Sequence, residues 1–251
     1  MLVSTENCIE KRNNMEEISL YQFLQSHIPG NFRCVRLMKQ EDHLRISHLL
    51  HTKSGQHFVL RECSGSPEVY RKLMTVSCPY LPRIYRVAEE DVKLLILEEF
   101  IQGDSLQSIL EYGLPEPQQA RQIATQLCEG LLVLHGIGAV HRDVKPENII
   151  LRGDEAVLID FDASRLQKQE QETDTVILGT AGYAAPEQYG ISQTDGRADI
   201  YSLGVVMNVM LTGAHPSVRL AGGRMGHVIR RCTMLNPKQR YRDVRQLLEH
   251  L

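Results

Sequence analysis

The chain has 251 residues, 42% of them hydrophobic and 24% charged, with a formal net charge of −3. That length suits one large domain or two small lobes sharing a cleft, and the slight acidic excess speaks against a nucleic-acid partner, which usually selects a basic surface. Six cysteines, at 8, 34, 63, 78, 128 and 232, form no Cys-x-x-Cys pair, so reduced thiols in a cytoplasmic protein are expected.

The opening MLVSTENCIEKRNNMEEISL mixes acids, bases and Asn with no apolar core, and it does not read as a secretory signal. Residues 1–30 stand apart as an N-terminal extension. Within it, SLYQFLQSHIPG reads as a short amphipathic helix, placed to pack on the next lobe or on a partner.

Residues 31–100 read as a small β-rich lobe. FRCVRLMK, LRISHLL, HFVLREC and LLILEEF are strand-like runs, with KSGQ as a turn between the second and third. One helix interrupts them at SPEVYRKLMTVS. Ser66 is its expected N-cap, Pro67 its first helical residue, and Glu68 lies in the first turn. Four histidines (43, 48, 51 and 57) gather in this lobe without the spacings that build a zinc site.

Residues 101–251 turn helical. EPQQARQIATQLCEGLLVLHGIG sets Ile123, Leu127, Leu131 and Leu134 at three- and four-residue spacing and stops at Gly136. AVLIDF reads as a short buried strand directly before Asp160. IYSLGVVMNVMLTG is too short to span a membrane and carries Asn208, so a buried core helix is expected. The predicted fold class is α+β and bilobal: a small antiparallel β-rich lobe and a mainly helical larger one, joined near 99–103. The cleft between two such lobes is the expected place for a ligand.

The chemistry-bearing residues concentrate in VHRDVKPENIILRGDEAVLIDFD (140–162). His141-Arg142-Asp143 is followed by Asn148, five residues after Asp143, and by Asp160-Phe161, seventeen residues after it. Downstream come GTAGYAAPEQ (179–188), ADIYSLG (198–204) and NPKQRY (236–241), in that order. These motifs resemble the eukaryotic-type protein kinase family, closest to the bacterial, Firmicutes-like Ser/Thr kinases. The resemblance covers about 31 to the C-terminus and is strongest after 95.

The resemblance implies ATP and Mg²⁺ (or Mn²⁺) as cofactors and a protein as substrate. It makes Asp143 the acceptor of the attacking hydroxyl's proton and Lys145 a point charge near the transferred phosphate. Asn148 and Asp160 would hold the divalent ions through hard oxygen ligands. Arg61, Glu99 and Ile101 would border the nucleotide. Small-molecule kinases of similar fold usually lack the Lys-Pro-Glu-Asn run and the Ala-Pro-Glu element, which favours a protein substrate. Glu187 with Arg240, and Asp199 beneath the catalytic loop, correspond to structural braces.

The small lobe departs from the family pattern. RLMKQEDHLRI (36–46) contains no glycine where a Gly-x-Gly-x-x-Gly loop belongs. FVLR puts Arg61 where a phosphate-contacting Lys is expected, with Lys39 as an alternative. Val69 falls where the partner Glu belongs, and Glu68 is one residue away. Glu98 occupies the back of the adenine pocket and is predicted to pair with Arg61 across adjacent strands. Asp162 replaces a Gly. It is expected to add negative charge beside Asp160, strengthening divalent-ion binding, and to reduce backbone mobility. Thr173 or Thr175 is the expected autophosphorylation site facing Arg142, with Thr180 kept for a structural role beside the catalytic residues. Three functional readings follow: an active Ser/Thr protein kinase, a pseudokinase that serves as a binding or scaffolding module, and a small-molecule phosphotransferase.

Overall fold

The computed structural model describes residues 20–166, 180–189 and 194–251. Helix α1 (Leu20–Asn31) leads into strands β1 (Phe32–Glu41), β2 (Leu44–His51) and β3 (His57–Ser64), then helix α2 (Glu68–Leu73) and strands β4 (Ile84–Glu90) and β5 (Lys93–Glu99). The five strands form one antiparallel sheet in the order β1-β2-β3-β5-β4. Beyond it lie β6 (Asp104–Ser105), α3 (Leu106–Tyr112), α4 (Pro117–Gly136) and β7 (Ala139–Val140). They are followed by β8 (Ile149–Arg152), β9 (Glu155–Leu158), β10 (Arg165–Leu166), α5 (Gly196–Thr212), α6 (Gly223–Cys232) and α7 (Val244–Leu248). Antiparallel strands followed by mostly helical chain make an α+β fold.

The sheet has two differently covered faces because side chains alternate along each strand. Leu49, Leu60, Ala88 and Leu95 form an outer cluster, against which Leu24 and Ile28 of α1 pack. On the other face, Ile96 of β5 and Leu73 of α2 join the main core, which continues through α4 and α5. Ile123, Leu127, Leu131 and Leu134 of α4 are all buried there, as their spacing predicts. The 200–213 run lies in α5, where Ile200, Leu203 and Met207 are fully buried. Each such side chain contributes about 1.5–3 kcal/mol relative to exposure.

Two local readings need correction. Strand β4 was not anticipated: its alternation (Ile84, Val87 and Ala88 buried, Arg86 and Glu89 exposed) is broken by a register shift between Ile84 and Arg86. Helix α2 is shorter than the 66–77 run and begins one residue later, with Pro67 at its N-cap. Ser66 Oγ accepts from the Glu68 N–H at 3.4 Å, a long contact that leaves Ser66 outside the helix. At the other end the backbone turns at Met74, ahead of the β-branched pair Thr75-Val76.

A buried ion pair braces the larger lobe. Arg240 grips Glu187 through both terminal nitrogens, at 2.6 and 2.8 Å, and also donates to the carbonyls of Met234, Leu235 and Arg197. The two side chains are 0% and 5% exposed, so neither charge has water to fall back on. Helices α5 and α6 approach closely at Gly204, where an added Cβ would come within 2.5 Å of Cys232 Cβ and 3.1 Å of Thr233 Cγ2. Gly204→Ala is therefore expected to destabilise the chain by about 1–3 kcal/mol through overpacking. Urea denaturation monitored by circular dichroism reads this directly, and an unchanged midpoint would contradict the tight helix contact.

Candidate active site

Strand β7 delivers the chain to His141, and Arg142 follows with φ of +71°. A non-glycine residue in the left-handed region is held by its surroundings. The clamp is Asp199, fully buried on α5, whose Oδ2 accepts from the His141 N–H at 2.9 Å and whose Oδ1 accepts from the Arg142 N–H at 2.8 Å. Asp199 Oδ2 also meets His135 Nε2 at 2.8 Å. The brace expected at Asp199 is thus present.

Past this clamp, Asp143 faces a small polar group. Thr180 Oγ1 donates to Asp143 Oδ1 at 2.8 Å, and Lys145 Nζ lies 2.8 Å from Oδ2. Lys145 also donates to Thr180 Oγ1 at 2.7 Å. Asn148, on the short 3-10 turn Pro146–Asn148, donates its amide to Asp143 Oδ2 and to the Asp143 carbonyl, both at 2.9 Å. Burial pushes the Asp143 carboxyl up, but hydrogen bonds from Lys145 and Thr180 outweigh it and hold the group below the usual carboxylate range. Asp143 is therefore ionised at neutral pH.

Asp160 follows β9 with φ of +69°. Phe161 is buried, with its ring edge-on to both His141 and Tyr70. With the Asn148 amide nitrogen turned to Asp143, its carbonyl oxygen is the atom left to face a cation. One carboxylate, Asp160, and one amide oxygen suit Mg²⁺, which keeps several waters and takes its remaining ligands from phosphates. No group of three or more His, Cys, Asp or Glu side chains poised for a metal occurs among the described residues.

A cavity of about 220 Å³ lies between the lobes, lined above by Ile46 and Val59 and below by Ile150 and Ile159. Asp160, Arg61, Glu98, Glu99 and Ile101 border it as well. The Glu99 carboxylate turns away to serve the lobe connection. Its Oε1 accepts from Arg152 at 2.8 Å and its Oε2 from the Arg83 N–H at 3.1 Å. Since β5 ends at Glu99, the Phe100 and Ile101 peptides lie beyond the strand ladder. Met38 and Lys39 of β1 close the rim, and Lys39 pairs there with Glu41 at 3.1 Å.

Arg61 is the most constrained charge in the cleft, 4% exposed at its side chain. Its Nη2 lies 3.4 Å from Glu98 Oε1, the cross-strand pair that the sequence predicts. Its Nη1 is nearer to Asp162 Oδ2, at 2.5 Å, and stands 3.3 Å from Asp160 Oδ1. Burial works against the Arg61 charge, but the surrounding carboxylates outweigh it and keep the guanidinium protonated. Burial likewise raises the Glu98 carboxyl, partly offset by Arg61.

Two expectations fail here. Glu68 is exposed and Val69 is buried in the core, so neither reaches Arg61; the α2 residue that faces the site is Tyr70. Nor does Asp162 stand as a spare anion beside Asp160. Both of its oxygens are engaged, Oδ2 by Arg61 and Oδ1 by the Tyr70 hydroxyl at 2.7 Å. The signal was a tyrosine one turn into a helix, a residue that reads as core from sequence alone. Of the clustered histidines, His48 Nε2 and His57 Nδ1 share a hydrogen bond at 2.7 Å, and His48 stacks on Phe100 at 3.8 Å. Thr173 and Thr175 lie outside the described residues.

With this geometry in view, comparison with known proteins is direct. The protein kinase domain model matches residues 30–250. The chain belongs to the protein kinase family. Serine/threonine-protein kinase pkn2 of Myxococcus xanthus is 34% identical over 172 residues, covering 64% of this chain and 21% of the relative. Serine/threonine-protein kinase A of Synechocystis sp. is 35% identical over 148 residues, 53% of this chain and 28% of the relative. Serine/threonine-protein kinase PknA of Nostoc sp. is 27% identical over 253 residues, covering 90% of this chain and 43% of the relative. The chain thus spans less than half the length of each of these bacterial relatives. Among the described residues no helix is long and apolar enough to cross a membrane.

The Asp199 clamp yields a test with a definite sign. Burial raises the Asp199 carboxyl, but hydrogen bonding and charge from His135, together with the donors of the loop, depress it below its usual value. A depressed folded value contributes stability that is fully present above the unfolded pKa, about 3.9, and is lost as pH falls through the folded value. Asp199→Asn should cost about 3–5 kcal/mol at neutral pH by breaking a buried charged network. The gap from the parent should narrow as pH falls below about 4. Denaturant titrations at several pH values check both parts; a gap independent of pH would remove the carboxylate from the account.

Proposed function

We propose that this chain is an ATP-dependent Ser/Thr protein kinase that transfers the γ-phosphate to a protein hydroxyl. The observation that carries the proposal is the ionised Asp143, hydrogen-bonded by Lys145, Thr180 and Asn148. The names of the relatives support the choice of hydroxyl acceptor.

In this reading the adenine lies in the apolar cavity between Ile46 and Val59 on one side and Ile150 on the other. Glu99 and Ile101 border it through the lobe connection, and Arg61 sits at the phosphate end. An incoming Ser or Thr hydroxyl donates its proton to Asp143, whose carboxylate is already oriented to accept from the Thr180 hydroxyl at 2.8 Å. As the hydroxyl oxygen bonds to the γ-phosphorus, the bond to the bridging β–γ oxygen breaks and ADP leaves. Lys145 sets positive charge beside that centre. Asn148 and Asp160 would hold the divalent ion, Mg²⁺ or Mn²⁺, which supplies charge neutralisation at the phosphate oxygens.

The pseudokinase reading rests on the glycine-free β1 with Met38 and Lys39 at the cavity rim, on Arg61 in place of a lysine and on Val69 in place of the helix acid. Side chains on β1 keep backbone amides farther from phosphates than glycines would. The small-molecule phosphotransferase reading has no comparable support.

Asp143→Asn separates the readings. It removes the proton acceptor while keeping shape, so transfer of label from γ-labelled ATP with Mg²⁺ or Mn²⁺ should fall about 10²–10⁴-fold, with ATP affinity nearly unchanged. Transfer within a few-fold of the parent overturns the assignment of Asp143. A parent protein that transfers no label supports the scaffold.

A further inference from the structure

We infer that Asp162 is the positioning residue for Arg61, supplying from the segment after β9 the carboxylate that helix α2 does not. The inference rests on the kinase reading above and deepens it.

A buried guanidinium needs a carboxylate partner, or its desolvation is uncompensated. Helix α2 offers none: Glu68 is exposed, Val69 is in the core, and Tyr70 presents a hydroxyl. Glu98 supplies charge but poor geometry. Its contact with Arg61 is 3.4 Å long, and Glu98 Oε2 and Arg61 Nε are both buried with no hydrogen-bond partner among the described residues. Asp162 supplies the closest contact of the three acids, a direct charge-assisted hydrogen bond from Arg61 Nη1 to its Oδ2.

Position decides what this bond does. Arg61 Nη1 lies between two carboxylates, 2.5 Å from Asp162 and 3.3 Å from Asp160. Asp162 takes the shorter contact with Nη1, so that Asp160 Oδ1 keeps only a looser one at 3.3 Å and is not the guanidinium's main partner. Without Asp162, the nearest remaining acid for Nη1 is Asp160 itself, and one contact would then occupy both the cation ligand and the phosphate-facing charge. Tyr70 completes the joint. Its hydroxyl donates to Asp162 Oδ1 at 2.7 Å, and its ring meets Phe161 edge-on at 6.2 Å. Helix α2, strand β3 and the 160–162 segment are thereby tied at a single carboxylate.

The test compares the parent with Asp162→Gly and with the exchange Tyr70→Glu/Asp162→Gly, which moves the acid from the segment to the helix. For each, kcat and KM for ATP are measured with Mg²⁺, alongside Kd for Mg²⁺–ATP and for adenosine by calorimetry. Asp162→Gly should raise KM and Kd for Mg²⁺–ATP at least tenfold while adenosine affinity changes less than threefold. The exchange should recover most of that loss. A merely structural role would lower thermal stability without separating ATP from adenosine. The inference is overturned if Asp162→Gly binds Mg²⁺–ATP within twofold of the parent, or if adenosine is lost equally. An exchange variant that folds but does no better than the single variant also overturns it. A parent that binds Mg²⁺–ATP without transferring phosphate removes the kinase reading but leaves the affinity comparison decisive; a parent that binds neither ATP nor adenosine removes both.

Discussion

The guanidinium of Arg61 is the constraint around which the cleft is arranged. A charge with a side chain 4% exposed cannot be left to solvent, and the three acids nearest it come from two different parts of the chain. Glu98 arrives on the neighbouring strand β5, while Asp160 and Asp162 arrive from the segment after β9. The small lobe therefore depends on the large one for charge compensation, and the two lobes meet through an ion pair as well as through the chain between them. Arg152 adds a second tie, joining β8 to Glu99 and to the Pro79 carbonyl.

The large lobe solves a different problem. Its charged side chains are not balanced across a cleft but fixed to backbone. Asp199 accepts two consecutive N–H groups of the catalytic loop, and Arg240 donates to three carbonyls as well as to Glu187. Such contacts hold Arg142 in its left-handed conformation and so set the direction in which Asp143 leaves the loop. In the proposed kinase reading, proton acceptance would rest on this frame, while nucleotide contact would rest on a joint whose parts come from both lobes.

What the sequence made legible follows this division. Asp143, Lys145 and Asn148 lie within six positions, so their grouping needs only local chain geometry, and their hydrogen bonds follow the spacing closely. The Glu98 contact was also readable, because Arg61 and Glu98 fall on adjacent strands whose hydrophobic pattern sets the register. Asp162 was misjudged for the opposite reason. Its partner Arg61 is 101 positions away, and nothing local distinguishes a carboxylate facing a cation from one facing an arginine. Tyr70 was hidden because a tyrosine on the buried face of a short helix reads as core, and only its hydroxyl reaches Asp162. Strand β4 escaped because its irregular register blurs a period-2 signal.

The central claim is a matter of charge: Glu98, Asp160 and Asp162 surround Arg61, so the guanidinium at the proposed phosphate end of the cleft is already matched by carboxylates. A triphosphate entering alone gains little attraction there, whereas a divalent ion brings the positive charge it needs. Titration calorimetry of ATP and adenosine, each with Mg²⁺ and with a chelator, measures this directly. The account predicts that ATP affinity falls at least tenfold in the chelator while adenosine affinity stays the same. Equal ATP affinity in both conditions would contradict it.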